Sequence, residues 1–268
     1  MTVWCNGAFV DNLTLDVAER GLMLGDGIFE TIAMREGKAI WLDQHLTRMA
    51  GTAETLGLPC DESKVRNALA EVLLKSSSPS EVLRITLTRG PTGRGFAING
   101  DKPSLILSLN PFDRSKLPPS VRLATSSIRR NTTAPSSFHK TLSYVDGVAA
   151  AREVASQADD ALMLNTMGHV ASTTIANIFL LQGQALITPS LDQGILNGIA
   201  RGTLVGGATE LGLTVQNRAV IPEELATADA IFLTNSLRLA TPVSSINGKS
   251  CGTRDISFIN AFFERNLT

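Results

Sequence analysis

The amino-acid sequence predicts an α+β (mixed α/β) protein of two domains. Strand-like and helix-like segments alternate irregularly along the 268 residues, unlike the regular alternation of a parallel βαβ array. The polar, proline-rich segment PFDRSKLPPS at 111–120 separates two halves of similar composition. We therefore expect an N-terminal α/β domain over 1–113, an interdomain linker over 114–121 and a C-terminal α/β domain over 122–268.

The first half contains three short apolar runs and two amphipathic patterns. The runs predict strands at 27–34, 82–88 and 104–109. Apolar residues spaced three and four positions apart predict helices over 43–58 and 62–74.

The second half has the same mixture of elements. Ala-rich and amphipathic stretches predict helices over 142–155 and 199–211. Short apolar runs predict strands at 121–126, 161–165, 177–182, 185–188 and 230–234.

Composition excludes several classes of protein. The chain has 24 Lys plus Arg against 25 Asp plus Glu, whereas domains that bind nucleic acid electrostatically are usually clearly basic. Cys5, Cys60 and Cys251 are far apart and form no CxxC pair, so neither a disulfide framework nor a metal site is indicated. The first residues lack a signal-peptide pattern, and no apolar run approaches the ~20 residues that span a bilayer. We expect a cytoplasmic protein with no membrane or nucleic-acid partner.

Common catalytic motifs are absent, and one lysine stands out. The sequence has no HExxH, GxSxG or GxxxxGK[ST], and no GxGxxG follows a predicted strand. Lys140 follows a polar loop and precedes an Ala-rich helix. A lysine amine attacks carbonyls only when neutral, which burial or neighbouring cations can bring about. The alternative interpretation is a solvated lysine at a helix start.

Three further features suit an anionic ligand. The turn GILNGI at 194–199 precedes a helix, whose N-terminal N–H groups can bind an anion, although it also suits a plain tight turn. The predicted strand at 230–234 ends in Thr234-Asn235-Ser236, which offers hydroxyl and amide donors or a turn cap. Arg48 lies on an apolar-periodic helix, and Arg94 lies in a Gly-rich turn; guanidinium binds phosphate or carboxylate in a bidentate manner.

In order and spacing these features resemble one family. The chain is similar to the fold-type IV pyridoxal-phosphate (PLP) enzymes, which include D-amino-acid and branched-chain aminotransferases and aminodeoxychorismate lyase. The resemblance runs from near the start of the chain to past residue 240. The matching segments are RGLMLGDGIFET (20–31), HLTRM (45–49), TRGPTGRGF (88–96), HKTLSY (139–144), ADDALMLNTMGHVASTTIANIF (158–179), LDQGILNGIAR (191–201) and FLTNSLRLATPV (232–243).

The resemblance implies a cofactor and the residues that hold it. Lys140 matches the catalytic lysine that forms a Schiff base with pyridoxal 5'-phosphate, and Arg48 matches the arginine that binds the phosphate. Gly198 and Ile199 match the helix N-terminus that caps the phosphate, and Thr234 matches its hydroxyl donor. The cofactor is then expected in the cleft between the two domains, with the C-terminal domain anchoring it.

One position departs from the family pattern. The family places a glutamate where this chain has Ser172, and that carboxylate keeps the pyridine nitrogen of the cofactor protonated. A serine hydroxyl can hydrogen-bond the nitrogen but holds the proton less well. Ser172 and its neighbour Thr173 are therefore expected at the cofactor, with weaker carbanion stabilisation.

The resemblance also implies substrates and partners. Phe29, Arg94 and Phe96 match the positions that bind the substrate carboxylate, with Arg94 as the retained cation. The lead hypothesis is a transaminase that uses Lys140 to move an amino group between a small amino acid or amine and a 2-oxo acid. The alternatives are an aminodeoxychorismate lyase that forms 4-aminobenzoate and pyruvate, or a PLP-binding protein with weak activity because of Ser172. Family members are homodimers, so we expect a homodimer.

Overall fold

The computed structural model describes residues 1–97, 100 and 102–267. These residues fall into two compact units. Unit 1 comprises residues up to 116 together with 139–143, and unit 2 comprises 117–138 and 144–267. Each unit has its own sheet.

Unit 1 is an antiparallel sheet with the strand order β2-β1-β6-β5-β3-β4. The strands are β1 (Thr2–Cys5), β2 (Ala8–Phe9), β3 (Gly27–Arg35), β4 (Lys38–Ala39), β5 (Ser80–Thr88) and β6 (Leu105–Pro111). The helices are α1 (Arg20–Leu24), α2 (Leu42–Thr55) and α3 (Glu62–Leu73).

Alternation along β5 decides which face of this sheet carries the core. Leu83 and Ile85 are fully buried and pack with apolar residues of α2 and α3, whereas Arg84 and Thr86 point to the other face. Burial of each such aliphatic side chain contributes about 1.5–3 kcal/mol. The apolar core therefore lies on the face that α2 and α3 cover, and Arg84 lies on the opposite face.

Unit 2 is a mixed sheet with the order β12-β11-β10-β13-β14-β7-β8-β9, and β15 pairs with β14. Its strands are β7 (Val121–Thr125), β8 (Asp160–Leu164), β9 (Val170–Ser172), β10 (Asn177–Gln182), β11 (Ala185–Pro189), β12 (Thr214–Arg218), β13 (Ala230–Asn235), β14 (Leu239–Ile246) and β15 (Lys249–Ser250). Its helices are α4 (Pro135–Phe138), α5 (Val145–Val154), α6 (Ile199–Gly207) and α7 (Ser257–Arg265).

The short strand β9 closes the sheet of unit 2 into a barrel-like arrangement. Ser172 stands opposite Met163 of β8 on one side and opposite Asn177 of β10 on the other. Asn177 in turn stands opposite Thr234 of β13. Closure therefore places Ser172, Asn177 and Thr234 side by side across three neighbouring strands.

The predicted α+β class is confirmed, with shifts at element ends. The helix predicted over 142–155 begins only at Val145, because residues 140–142 pair with β3 instead. The helix predicted over 199–211 ends at Gly207 and continues as a 3₁₀ turn, Ala208–Leu211. Within the described part of the chain, no helix has the length and apolar character needed to cross a membrane.

Candidate active site

In unit 1, Lys140 lies on an extended segment that pairs with the edge of β3. The amide N–H of Phe29 donates to the carbonyl of Lys140 at 3.0 Å, and the amide N–H of Leu142 donates to the carbonyl of Gly27 at 2.9 Å. The Nζ atom lies 4.3 Å from the centroid of the Phe29 ring. Backbone pairing thus fixes the lysine at the sheet edge with its amine over an aromatic ring.

The surroundings of Lys140 favour its neutral amine. Burial and the positive charges of Arg48 and Arg84 lower the pKa of Lys140 to about 8, while the Glu30 carboxylate acts in the opposite direction. Desolvation and nearby cations disfavour an ammonium group, and an anion favours it. Because an exposed lysine has a pKa of about 10.4, Lys140 carries far more neutral amine near pH 8. Neutral amine is the form that attacks carbonyl carbon.

Phe29 contacts two cationic side chains. The guanidinium carbon of Arg84 lies 3.8 Å from its ring centroid, and the Lys140 amine lies against the same ring. Such cation–π contacts orient the charged groups and keep water from part of their surface. The resemblance assigns Phe29 to the substrate, and the structure places it directly beside Lys140.

Glu30 is the buried anion of this cluster. Its carboxylate accepts hydrogen bonds from Arg48 Nε at 2.8 Å and Nη2 at 2.5 Å, and lies 2.6 Å from His45 Nδ1. Burial alone would raise the pKa of Glu30, but the hydrogen bonds from His45 and Arg48 hold it below its usual range. Glu30 therefore stays ionised and partly compensates the charge of Arg48.

His45 enters the same cluster as a neutral ring. Burial lowers the pKa of His45 against the opposing pull of Glu30. The short contact to Glu30 assigns the proton to Nδ1, which leaves Nε2 as an acceptor. Nε2 is buried and has no hydrogen-bond partner among the residues that the structure describes.

Arg48 lies on α2, three positions after His45, so the two side chains share one face of the helix. The resemblance assigns this arginine to the cofactor phosphate. In unit 1, two of its nitrogens bind Glu30, and its charge acts on Lys140. The structure thus brings Arg48, Lys140 and Phe29 together in unit 1.

In unit 2, the start of α6 and the end of β13 have the features of an anion site. Gly198 is the N-cap of α6, and no side chain of the described residues caps the first N–H groups of this helix. A Cβ at Gly198 would lie 2.2 Å from Asn177 Oδ1, and Asn177 Nδ2 donates to the carbonyl of Leu196 at 2.9 Å. Thr234 Oγ1 is buried with no hydrogen-bond partner in the described chain. Helix N-termini of this kind bind phosphate.

Ser172 and Thr173 lie next to these residues in the sheet of unit 2. The Ser172 hydroxyl donates to the carbonyl of Thr173 at 2.9 Å, and Thr173 Oγ1 accepts from the amide of Ala176 at 3.1 Å. Both side chains are buried. The geometry leaves the lone pairs of the Ser172 hydroxyl as its remaining hydrogen-bonding capacity.

Arg94 and Phe96 lie on the exposed turn that follows β5 in unit 1. Phe96 is 86% exposed, and Arg94 is also exposed. The carbonyls of Gly95 and Phe96 accept hydrogen bonds from Arg20. Their assignment to substrate binding remains a prediction.

Four residues of these two clusters were not singled out from the sequence: Glu30, His45, Arg84 and Asn177. Glu30 is a charged residue inside the apolar run GIFETIAM, and that isolation was the available signal. The spacing of His45 and Arg48 on one helix face was a second signal. Arg84 and Asn177 required knowledge of strand pairing.

The chain belongs to the amino-transferase class IV family, whose sequence profile matches residues 27–246. The matched segment contains both clusters, from Glu30 in unit 1 to Thr234 in unit 2. The expected fold-type IV membership is therefore confirmed.

Several proteins of known name illustrate this similarity. The chain is 29% identical over 262 residues to an aminodeoxychorismate lyase of Bacillus subtilis, covering 94% of this chain and 89% of the relative. It is 26% identical over 269 residues to a branched-chain-amino-acid aminotransferase of Pseudomonas aeruginosa, covering 93% and 86% of the two chains. The crystal structure of a branched-chain aminotransferase from Thermoproteus uzoniensis with norvaline matches at a TM-score of 0.90 and 26% identity, covering 100% of this chain and 95% of that one.

Proposed function

We propose that the chain is a pyridoxal 5'-phosphate-dependent transaminase that moves an amino group between a small amino acid or amine and a 2-oxo acid. The observation that carries this proposal is the Lys140 amine, whose pKa is about 8 beside Phe29, Arg48 and Glu30. When bound, pyridoxal phosphate supplies an electron sink for the carbon that bears the transferred amino group. The side chains of the protein bind the cofactor and the substrate and carry the protons.

The residues of unit 2 fit the phosphate of this cofactor. A phosphate needs several hydrogen-bond donors. Helix α6 offers the backbone N–H groups of its first turn, beginning at Ile199, and Thr234 offers a buried hydroxyl that has no partner in the described part of the chain. A side chain at position 198 would displace Asn177, so glycine keeps the approach to the helix open. These observations support the assignment of Gly198, Ile199 and Thr234 to phosphate binding.

Lys140 would act as nucleophile and as proton carrier. Its neutral amine would condense with the aldehyde of the cofactor, with loss of water. Once the amino group of the substrate has replaced it there, the freed amine would take a proton from one carbon and return it to another. A pKa near the working pH suits both directions of proton transfer. Phe29 keeps the amine in place and shields it from water.

Arg48 supports the same site through charge and through Glu30. The resemblance assigns it to the phosphate, and its guanidinium is oriented by two bonds to Glu30. A bidentate guanidinium–carboxylate pair is a rigid arrangement. Arg48 would therefore present a fixed cation while lowering the pKa of Lys140.

Ser172 and Thr173 are assigned to the ring of the cofactor by the resemblance. The Ser172 hydroxyl donates its proton to the Thr173 carbonyl, so it can meet the pyridine nitrogen only with a lone pair. Because a hydroxyl carries no negative charge, it holds a proton on that nitrogen less well than a carboxylate does. A less protonated ring is a weaker electron sink. This observation supports the alternative of a PLP-binding protein with weak activity.

A lyase is the alternative reaction. The relative of Bacillus subtilis named above is an aminodeoxychorismate lyase, and the similarity covers 94% of this chain and 89% of that relative. The same lysine would serve both reactions, because each needs an amine nucleophile and a proton carrier. The two differ in whether pyruvate is eliminated or an amino group is passed on.

Titration of the PLP-loaded protein with single amino donors separates these outcomes. A transaminase loses the visible absorbance of its lysine-bound cofactor with L-valine, L-glutamate or D-alanine, and a 2-oxo acid restores it. A lyase releases pyruvate from aminodeoxychorismate without an acceptor. A weakly active binding protein keeps its absorbance with every donor, and a protein that acquires no such absorbance contradicts the cofactor assignment.

We also propose a homodimer, as in the family. Exposed apolar side chains in unit 1 support a surface that a second copy covers: Val17, Leu22, Met23 and Leu24. Light scattering on the purified protein should give twice the 28.5 kDa chain mass, and a mass of one chain at micromolar concentration would contradict the proposal.

A further inference from the structure

A buried arginine holds the turn that carries Arg94. Arg20 begins α1 and is only 6% exposed. Its Nη1 donates to the carbonyl of Gly95 at 2.6 Å, and its Nη2 donates to the carbonyl of Phe96 at 3.1 Å. One guanidinium therefore fixes the backbone of the two residues that follow Arg94.

Arg20 is itself held by a carboxylate shared with a second arginine. Its Nε donates to Asp26 Oδ2 at 2.7 Å, and Arg89 Nε donates to the same oxygen at 2.8 Å. Arg89 also donates to the carbonyls of Gly57 at 2.6 Å and Leu56 at 3.1 Å, after the end of α2. Burial would raise the pKa of Asp26, but the hydrogen bonds from Arg89 and Arg20 hold it below its usual range. Asp26 therefore stays ionised at neutral pH, and we call the ion-paired group of Arg20, Asp26 and Arg89 the brace.

The backbone secures the base of the same turn. The amide of Arg20 donates to the carbonyl of Gly90 at 3.2 Å, and Glu19 forms an isolated bridge with Pro91. Gly90 has φ +83°, and a Cβ there would lie 1.8 Å from the carbonyl oxygen of Lys102. Only glycine fits this conformation and this close approach.

We propose that Arg20 is a positioning residue for substrate recognition, which directs the Arg94 guanidinium toward the carboxylate of the amino-acid or 2-oxo-acid substrate. The inference rests on the proposed function, in which Arg94 binds that carboxylate. When a cation lies on a mobile turn, ordering of the turn on ligand binding costs conformational entropy and weakens the affinity. The hydrogen bonds from Arg20 to the carbonyls of Gly95 and Phe96 order the turn before the substrate binds.

The geometry requires a guanidinium at position 20. Three contacts in three directions, to Asp26, Gly95 and Phe96, are served respectively by Nε, Nη1 and Nη2 of one planar group. A lysine keeps the charge and can reach Asp26, but its single nitrogen cannot span both carbonyls. Arg20→Lys therefore loosens the turn while leaving a cation beside Asp26.

Kinetics of PLP-loaded Arg20→Lys test this role. The donor is whichever of L-valine, L-glutamate, D-alanine or aminodeoxychorismate turns over the unmodified enzyme. We expect KM to rise about tenfold, as for loss of a charge-assisted hydrogen bond, with kcat within about twofold. Arg66→Lys is the matched control, because Arg66 is an exposed arginine on α3 that binds Glu62.

An Arg94→Ala background shows whether Arg20 acts through Arg94. In that background we expect Arg20→Lys to change KM by less than about twofold, since the group it positions is gone. An unchanged KM in the single variant, or an equal rise in both backgrounds, overturns the inference. If no donor turns over the unmodified enzyme, the proposed function fails instead.

Limited trypsin cleavage gives a second measurement without turnover. Cleavage after the exposed Arg94 in the native full chain should be about tenfold faster in Arg20→Lys than in Arg66→Lys, because a loosened turn fits a protease more readily. Equal cleavage rates overturn the brace whatever the reaction of the enzyme.

Discussion

The Glu30 carboxylate binds both Nε and Nη2 of Arg48, at 2.8 and 2.5 Å, on the face of the unit 1 sheet against which α2 packs. His45 contacts the same carboxylate. The negative charge of Glu30 offsets part of the positive charge around Lys140. The pKa of the lysine is thus a balance: burial, Arg48 and Arg84 lower it, and Glu30 limits the fall. This balance is the basis of the first prediction.

Glu30→Gln should move the pKa of Lys140 below about 8. The neutral amide removes the anion that favours the ammonium form, whereas burial, Arg48 and Arg84 remain. The ¹³Cε resonance of Lys140, followed against pH in the cofactor-free protein, measures the change. Glu62→Gln on the exposed face of α3 should leave the titration unaltered, and an equal or higher pKa in Glu30→Gln would refute the balance.

Thr234→Val should weaken cofactor binding without weakening the cofactor-free fold. The Thr234 hydroxyl is buried and has no hydrogen-bond partner among the described residues, so valine costs the free protein none of the hydrogen bonds seen there but removes a phosphate donor. We expect the Kd for PLP to rise about tenfold. Thr188→Val is the contrast, because its hydroxyl donates to the Ile178 carbonyl at 2.9 Å and its loss should lower the free energy of unfolding by about 1 kcal/mol. Reversed effects of the two variants would contradict the assignment of Thr234.

Gly198→Ala should reduce PLP affinity, again by about tenfold. The new methyl group meets Asn177 Oδ1 at 2.2 Å, and moving the buried Asn177 breaks its bond to the Leu196 carbonyl. Gly202→Ala lies four residues further along α6 in open space, so it should bind PLP normally and gain up to about 1 kcal/mol of stability. Fluorescence titration with PLP compares the two variants, and equal affinities would argue against a phosphate at the start of α6.

Ser172→Glu should accelerate the amino-donor half-reaction by about tenfold or more. A carboxylate at this position holds a proton on the ring nitrogen better than the serine hydroxyl does. Ser172→Gln has the same size without the charge and should give no acceleration. Stopped-flow absorbance measures both rates, and a glutamate variant that is unchanged or slower would remove the role given to this position.

Local patterns predict most of the elements but not how they meet. The strand predicted at 27–34 is β3, Gly27–Arg35, and the helix predicted over 43–58 is α2, which ends earlier at Thr55. Alternation and helical spacing are properties of short windows, so these elements could be read directly. The pairing of 140–142 with β3 joins residues more than a hundred positions apart, and no local pattern contains it.

The residues of the candidate site likewise fall into those that local motifs indicate and those that only tertiary contacts reveal. Lys140, Arg48 and Thr234 were named as candidates because their motifs resemble a family, and their roles stay predictions. Glu30 and His45 were missed because ionisable side chains are usually solvent-exposed, and only the tertiary structure shows the partners that allow their burial. Ser172 was named from the sequence, but its hydrogen bond to the Thr173 carbonyl is visible only in the folded structure.

The central claim, that Lys140 carries the cofactor, is tested most directly by borohydride reduction of the PLP-loaded protein followed by peptide mass measurement. We predict that the reduced cofactor is found on the peptide that contains Lys140, and that Lys140→Ala acquires none. A label on another lysine such as the exposed Lys64, or equal labelling of Lys140→Ala, would contradict the account.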